Sequence, residues 1–203
     1  MTTLTVGFDL DMTLLDTRPG IARAWEMLAE ETGTRIDSAV VVSRLGPPVE
    51  IEMAHWFPAD EIKARADRYR QLYAEHGVKG VTPLPGAIES LAAVRAAGGR
   101  TLVVTGKHTP NARLNLDALG IEVDALHGDV FASAKAGALR AEGASVYVGD
   151  HLGDIEGARQ AEAVAVGVTT GPYDAAALRA AGADVVLPDL TGFPAWLQAH
   201  LRA

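Results

Sequence analysis

Leu4-Thr5-Val6-Gly7-Phe8-Asp9-Leu10-Asp11-Met12-Thr13 opens the chain with a short apolar run that stops on two aspartates one residue apart. The same kind of run recurs at 100–104, 145–148 and 163–168, and more weakly at 183–187, each ending in Gly, Asp or Thr or rich in β-branched residues. Helical patterns fill the gaps at 87–97, 109–119, 132–142, 152–162 and 175–181. Glycines close the first two, at Gly98-Gly99 and Gly120, and Thr109-Pro110 opens the second, as helix termini prefer. Strands alternating with helices of this length imply βαβ units. The expected fold is α/β, a doubly wound parallel sheet covered by helices on both faces.

One segment breaks the alternation. Residues 16–83 show helical pattern and no convincing strand. Within 21–31, Ala22, Trp25, Leu28 and Ala29 recur at helical spacing, and 38–45, 49–57 and 61–76 read as further helices. Asp16-Thr17-Arg18-Pro19-Gly20 and Val81-Thr82-Pro83-Leu84-Pro85-Gly86 bracket the segment with turn residues. The expectation is a core built from 1–15 and 84–203, with an all-helical unit, 16–83, inserted after the first strand.

The chain has 203 residues, enough for one domain with a large insertion. Its 26 acidic and 18 basic side chains give a net charge of −8, which argues against a nucleic-acid or anionic-membrane binder. The absence of cysteine excludes disulfides, cysteine-ligated metals and thiol nucleophiles. Met1-Thr2-Thr3-Leu4-Thr5-Val6 lacks a basic n-region and a long apolar stretch, and no apolar run approaches the ~18 residues of a bilayer span. These features read as a cytoplasmic protein.

In a parallel sheet, ligands bind where the strands end, near the point at which strand order reverses. Asp9 and Asp11 follow the first strand, Thr105-Gly106-Lys107 follows 100–104, and Asp150 and Asp154 follow 145–148. Lys135 lies in the helix before that strand. Converging carboxylates repel unless a cation sits among them. An oxygen-only donor set suits a hard ion, Mg²⁺. With Thr105 and Lys135 facing it, such a site reads as one for phosphoryl transfer. Without a Ser/His pair or a thiol, the nucleophile is a carboxylate that forms an aspartyl-phosphate, and a second carboxylate two residues on can protonate the leaving oxygen and later activate water.

These residues resemble the motifs of the haloacid dehalogenase superfamily of aspartate-dependent phosphatases, in order and over nearly the whole chain. Asp9-Leu10-Asp11-Met12-Thr13-Leu14, Thr105, Lys135, and Gly149-Asp150 with Asp154 are similar to its four motifs. The resemblance implies Asp9 as nucleophile, Asp11 as acid/base, and phosphate binding by Thr105, the Gly106 N–H and Lys135. It further implies Mg²⁺ held by the Asp9 carboxylate, the Asp11 carbonyl and Asp150, with Asp154 in support, and a helical cap at 16–83. Tyr69-Arg70-Gln71-Leu72-Tyr73, Pro83-Leu84-Pro85-Gly86-Ala87 and Asp154-Ile155-Glu156-Gly157-Ala158-Arg159 point to the phosphoglycolate-phosphatase-like branch. Met12, Gly106 and His151 depart from the pattern, standing where glycine, Asn or Ser, and Thr or Ser are common.

The function this implies is Mg²⁺-dependent hydrolysis of a small phosphorylated metabolite by a monomer or homodimer, with phosphoglycolate the substrate by analogy. A phosphosugar mutase keeps the same motifs. A non-enzymatic phospho-receiver switch shares paired Asp, Thr and Lys, but it fits poorly with the insertion and with Asp9 on the first strand. Lys107 reads as surface or rim, His151 as a solvated loop residue ahead of a contact at the edge of the site, and His55-Trp56-Phe57 as cap interior or a cap–core contact. Arg18 and Arg44 have two readings: facing the site from the cap, suited to a second anionic group on the substrate, or ordinary surface arginines.

Overall fold

Fully buried strands need apolar side chains on both faces, and the β-branched runs supply them. In the computed structural model, which describes residues 4–202, β1 (Thr5–Phe8) is buried at every position. Residues 1–3, which begin the expected core segment and the stretch inspected for a targeting signal, lie outside the described residues, as does residue 203. A two-residue strand, β2 (Leu15–Asp16), leads into α1 (Arg18–Thr32), α2 (Ser38–Ser43), α3 (Val49–Met53) and α4 (Ile62–Leu72). A π turn at Tyr73–Gly77 follows α4, and β3 (Thr82–Pro83) returns to pair antiparallel with β2.

From there strands and helices alternate. The order is α5 (Ala87–Ala96), β4 (Arg100–Val104), α6 (Thr109–Ala118), β5 (Ala125–His127), α7 (Lys135–Ala141), β6 (Val146–Gly149), α8 (Leu152–Gln160), β7 (Val164–Val168), α9 (Ala175–Ala180), β8 (Val185–Leu187) and α10 (Phe193–His200). The six-stranded sheet runs β5-β4-β1-β6-β7-β8, all parallel. β1 lies between β4 and β6, with Val6 opposite Thr101 on one side and Val146 on the other. The chain builds outward from β1 in both directions, so strand order reverses there and a crevice opens at its carboxyl end.

Apolar clusters cover the two faces of the sheet. One gathers Val6, Phe8, Leu91, Val103 and Phe193, and the other Val104, Leu139, Tyr147, Ile155 and Leu178. The inserted helices have a cluster of their own around Trp25, Leu28, Met53, Leu72 and Tyr73.

Several boundaries differ from the expectation, each for a local reason. β5 is a half-buried edge strand without a β-branched residue, so its pattern is faint. The β2–β3 pair is too short for any periodicity to show, and it contains Pro83. α10 carries Pro194 in its first turn, a position proline tolerates although it reads as a breaker. The helices expected at 38–45 and 49–57 stop at Ser43 and Met53. The one expected at 61–76 ends at Leu72, and the chain widens into the π turn where Gly77 meets α1.

That crossing is tight. A Cβ on Gly20 would lie 2.0 Å from the Gly77 carbonyl oxygen, so the two backbones touch without side chains between them. Gly20→Ala is expected to lower unfolding free energy by ~2 kcal/mol or more through overpacking, read as a lower urea midpoint. Gly137→Ala in α7, where a Cβ meets nothing within 4 Å, is the control and is expected to leave the midpoint unchanged or raise it.

Candidate active site

β1, β4 and β6 end side by side, and each hands its next residue to the crevice. The Asp9 N–H donates to the Val148 carbonyl at 2.8 Å, which fixes where the first carboxylate leaves the sheet. Asp9, Asp11, Thr105, Gly106, Lys135, Asp150 and Asp154, brought from four separate stretches of chain, all border one small pocket.

At its floor lies a buried ion cluster. The Lys135 ammonium is 3% exposed and donates to Asp9 Oδ1 at 2.8 Å, Asp154 Oδ1 at 2.6 Å and the Tyr147 hydroxyl at 2.9 Å. Burial opposes its charge, but Asp154 and Asp9 outweigh burial and hold its pKa above the usual lysine range. Tyr147 donates in turn to the Val104 carbonyl at 2.6 Å, so the ammonium is tied to the end of β4.

Carboxylate oxygens of Asp9, Asp150 and Asp154 all lie within 4.8 Å of one another. Burial is the largest influence on Asp9. Lys135 counters it, Asp154 and Asp11 add to it, and the carboxyl is pushed up to about 7. Burial, then Asp154 and Asp9, also raise Asp150 well above the carboxylate range. One ammonium does not balance this much buried negative charge. A hard divalent cation fits the donor set, because all the donors are oxygens. Asp154 is committed elsewhere: Oδ1 takes Lys135 and Oδ2 accepts from the His151 N–H at 3.0 Å. Asp150 Oδ1 accepts from the Thr13 hydroxyl at 2.8 Å, which leaves Oδ2, together with Asp9 Oδ2, for a ligand.

Asp11 stands at the mouth of the pocket. The Lys107 ammonium donates to its carboxylate at 3.1 Å and sits 4.1 Å from the centre of the Tyr73 ring. The Lys107 side chain is only 7% exposed, so the surface placement is corrected, and at the rim it borders both the pocket and the cleft above it: its partners are remote in sequence and become visible only in the fold. Burial opposes its charge too, and Asp11 followed by Tyr73 and Tyr69 overcomes it and raises the pKa. His151 is likewise not a solvated loop residue. Its Nδ1 caps α8 by accepting from the Gly153 N–H, and its ring packs on Phe131 and Tyr173. Gly46 presses on that ring so closely that a Cβ there would lie 2.6 Å from it.

The arginine expectations divide. Arg18 is exposed, pairs with Asp16 at 2.7 Å and borders neither the pocket nor the cleft above it, so its placement facing the site is corrected. Arg44 does border the cleft, but paired with Glu52 at 3.5 Å. Phe57 and Trp56 join the apolar cluster of the inserted helices, whereas His55 faces the cleft. Tyr147 and Thr13 carry no assigned role in the sequence reading. The signal for Tyr147 is a hydroxyl inside an otherwise apolar buried strand, and for Thr13 a hydroxyl two residues beyond Asp11.

Residues 6–159 match the haloacid dehalogenase-like hydrolase family, and the chain belongs to it. Two curated relatives are phosphoglycolate phosphatases. The one from Rhodospirillum rubrum is 32% identical over 197 residues, covering 89% of this chain and 77% of that protein. The one from Caulobacter vibrioides is 29% identical over 211 residues, covering 94% and 89%. A haloacid dehalogenase-like hydrolase from Streptococcus pneumoniae superposes with a TM-score of 0.82 at 25% identity, over 99% of this chain and 100% of that one. The protein is a hydrolase of this family with a parallel α/β sheet, similar over most of its length to those phosphatases. Among the described residues, no helix is long and apolar enough to cross a membrane.

Two outcomes are expected. Asp9 keeps its proton up to about pH 7 in the folded protein against 3.8 unfolded. The folded state therefore loses stability as pH rises from about 4 to 7, and a bound cation, by favouring the ionised form, removes that loss. The rise in Tm on adding Mg²⁺ to EDTA-treated protein should accordingly be larger at pH 8 than at pH 5; equal rises would contradict the charge balance described. Tyr147→Phe removes one donor–acceptor link to the Lys135 ammonium and is expected to slow turnover by roughly 10–100-fold, as loss of a hydrogen bond to a charged group does. Circular dichroism should show an unchanged fold.

Proposed function

We propose that the chain hydrolyses small phosphate monoesters through an aspartyl-phosphate on Asp9, with Mg²⁺ as its cofactor. The observation that carries this reading is the Lys135 node, which presents Asp9 with one oxygen bonded and the other directed to the pocket shared with Asp11 and Thr105. One oxygen of the Asp9 carboxylate attacks phosphorus as the bond to the alcohol oxygen breaks, while Asp11, at the pocket mouth, gives a proton to that departing oxygen. Asp11 then takes a proton from the water that attacks the aspartyl-phosphate. Lys135 holds Asp9 in line and offsets phosphoryl charge, and Thr105 with the Gly106 N–H holds the phosphoryl oxygens. The carboxylates of Asp9 and Asp150 and the carbonyl of Asp11 would hold the cation, which would offset the negative charge of the phosphoryl oxygens. Thr13 and Asp154 orient these ligands from behind. Residues 16–83 act as a cap over the pocket, and 2-phosphoglycolate enters the substrate panel because the relatives bear its name.

The test is phosphate release from a panel of small esters, with Mg²⁺ and with EDTA. Wild type should release phosphate only with the metal. Asp9→Asn, nearly isosteric, should fold normally and lose at least ~10³-fold in kcat, a barrier rise of about 4 kcal/mol. A phosphorylated tryptic peptide containing Asp9, trapped by acid quench, should be found in wild type and be missing in the variant. Wild-type turnover by Asp9→Asn would overturn the assignment, and transfer of phosphate to a sugar phosphate in place of water would make the enzyme a mutase.

A further inference from the structure

Past Asp11 the pocket widens into a cleft of about 360 Å³ between the inserted helices and the sheet edge. Asp11, Leu45, Gly46, Gly106 and Lys107 border both spaces, so an ester seated on Asp9 projects its alcohol portion into the cleft. At ~30 Å³ per liquid water, the cleft has room for roughly a dozen waters. That lies within the ~300–1,000 Å³ typical of small-molecule sites. A glycolate group fills only a small part of it.

The charges of the cleft are already spent on one another. Lys107 pairs with Asp11 at 3.1 Å. Arg70 is held between Glu50 at 2.5 Å and Asp67 at 3.2 Å, and Arg44 lies 3.5 Å from Glu52. Asp129, a further carboxylate on the lining, accepts from the Thr109 N–H and hydroxyl. With Asp11 carrying the proton it gives to the alcohol, and the two histidines set aside, Glu50, Glu52 and Asp129 match Arg44, Arg70 and Lys107 in number. A substrate carboxylate would meet no net positive charge on the lining, and both arginines already face acids.

The uncharged lining is mixed: Tyr69, Tyr73 and Asn111 bring polar groups, whereas Leu45, Pro47, Pro48, Val49 and Ile51 supply a continuous apolar stretch, with Ile51 53% exposed. Two lining polar atoms, Arg70 Nε and His108 Nδ1, are buried without a hydrogen-bond partner. Buried polar atoms of this kind are normally satisfied, and an uncharged oxygen on a ligand would do so.

Resting on the phosphatase reading above, we infer that the cleft selects esters of uncharged alcohols with an apolar body, in preference to carboxylate-bearing esters such as phosphoglycolate. The apolar wall supplies affinity in proportion to the area it covers, whereas a second anion would have to compete with Glu50, Asp67 and Glu52 for the two arginines.

Two measurements test this. The first is kcat/KM for ethyl, butyl and benzyl phosphate against phosphoglycolate, with acetyl phosphate as a minimal reporter. The values should rise from ethyl to butyl by ~10-fold, two methylenes at ~0.8 kcal/mol each. Benzyl phosphate should exceed phosphoglycolate by at least as much. The second is calorimetric binding of 2-phenylethylphosphonate and 3-phosphonopropionate, which cannot turn over. The phenyl compound should bind more tightly by ~10-fold, or ~1.4 kcal/mol. Glu50→Gln, by releasing Arg70, should move both rankings towards the carboxylate compounds. Acetyl phosphate left intact would end the phosphatase reading, yet the phosphonate ranking would still judge the cleft. Equal or better binding of 3-phosphonopropionate, or a ranking that Glu50→Gln does not move, would overturn the inference.

Discussion

A lysine ammonium almost wholly removed from water, held by Asp9, Asp154 and Tyr147, is the contact on which the rest of the site depends. Burying one charge costs several kcal/mol unless its partners are in place, and removing one partner strands the others. The node therefore requires β1, α7, β6 and α8 to dock in a single arrangement. Neighbouring residues bear its marks. A Cβ on Gly149 would lie 2.3 Å from the Asp154 side chain, and one on Gly157 would lie 2.9 Å from Lys135 Cβ. The helices that carry Lys135 and Asp154 approach closely because those positions have no side chain. Lys135 alone does not balance Asp9, Asp150 and Asp154, and this imbalance is what gives a cation its place.

Met12 shows local preference giving way to that geometry. It adopts φ 62°, a conformation that costs an L residue roughly 1–2 kcal/mol and that glycine takes freely. The bend lets Thr13 return to bond Asp150, while the Met12 carbonyl accepts from the Thr170 hydroxyl and its N–H donates to the Leu15 carbonyl. The side chain is 4% exposed, so burial offsets part of the strain. The sequence marks this position as a departure from glycine, and the backbone gives the physical reason the departure matters.

What the sequence discloses follows from the range of the interactions involved. The strand runs at Arg100–Val104 and Val164–Val168 are legible because buried parallel strands must be continuously apolar. Asp9, Thr105 and Asp150 are legible because chemistry in such a sheet gathers where strands end. The Lys107–Asp11 pair joins residues 96 positions apart, and nothing near Lys107 distinguishes it from a solvated lysine. Arg44 can be recognised as an arginine suited to an anion. That Glu52 already holds it depends on how α3 follows the loop at Gly46, which no local pattern encodes. Residue types and strand ends thus announce where polar groups gather, whereas the pairing of charges along the cleft belongs to the tertiary structure.

The inserted helices and the sheet have separate apolar clusters, and the specific contacts between them are mostly polar or small. Tyr73 exchanges hydrogen bonds with Asn115 at 2.9 and 3.2 Å, Asn111 donates to the Arg70 carbonyl, and Lys107 lies over the Tyr73 ring. Such groups find replacement partners in water, so separating them costs far less than separating two halves of one core. The β2–β3 pair holds the two connections together at the base of the helical unit. A unit pivoting there would lift Gly46 from His151 and withdraw Tyr73 from Lys107 in one movement. Lys107 would then keep Asp11 but lose the ring that covers it, which ties the surroundings of the Asp11 carboxylate to whether the cleft above it is closed.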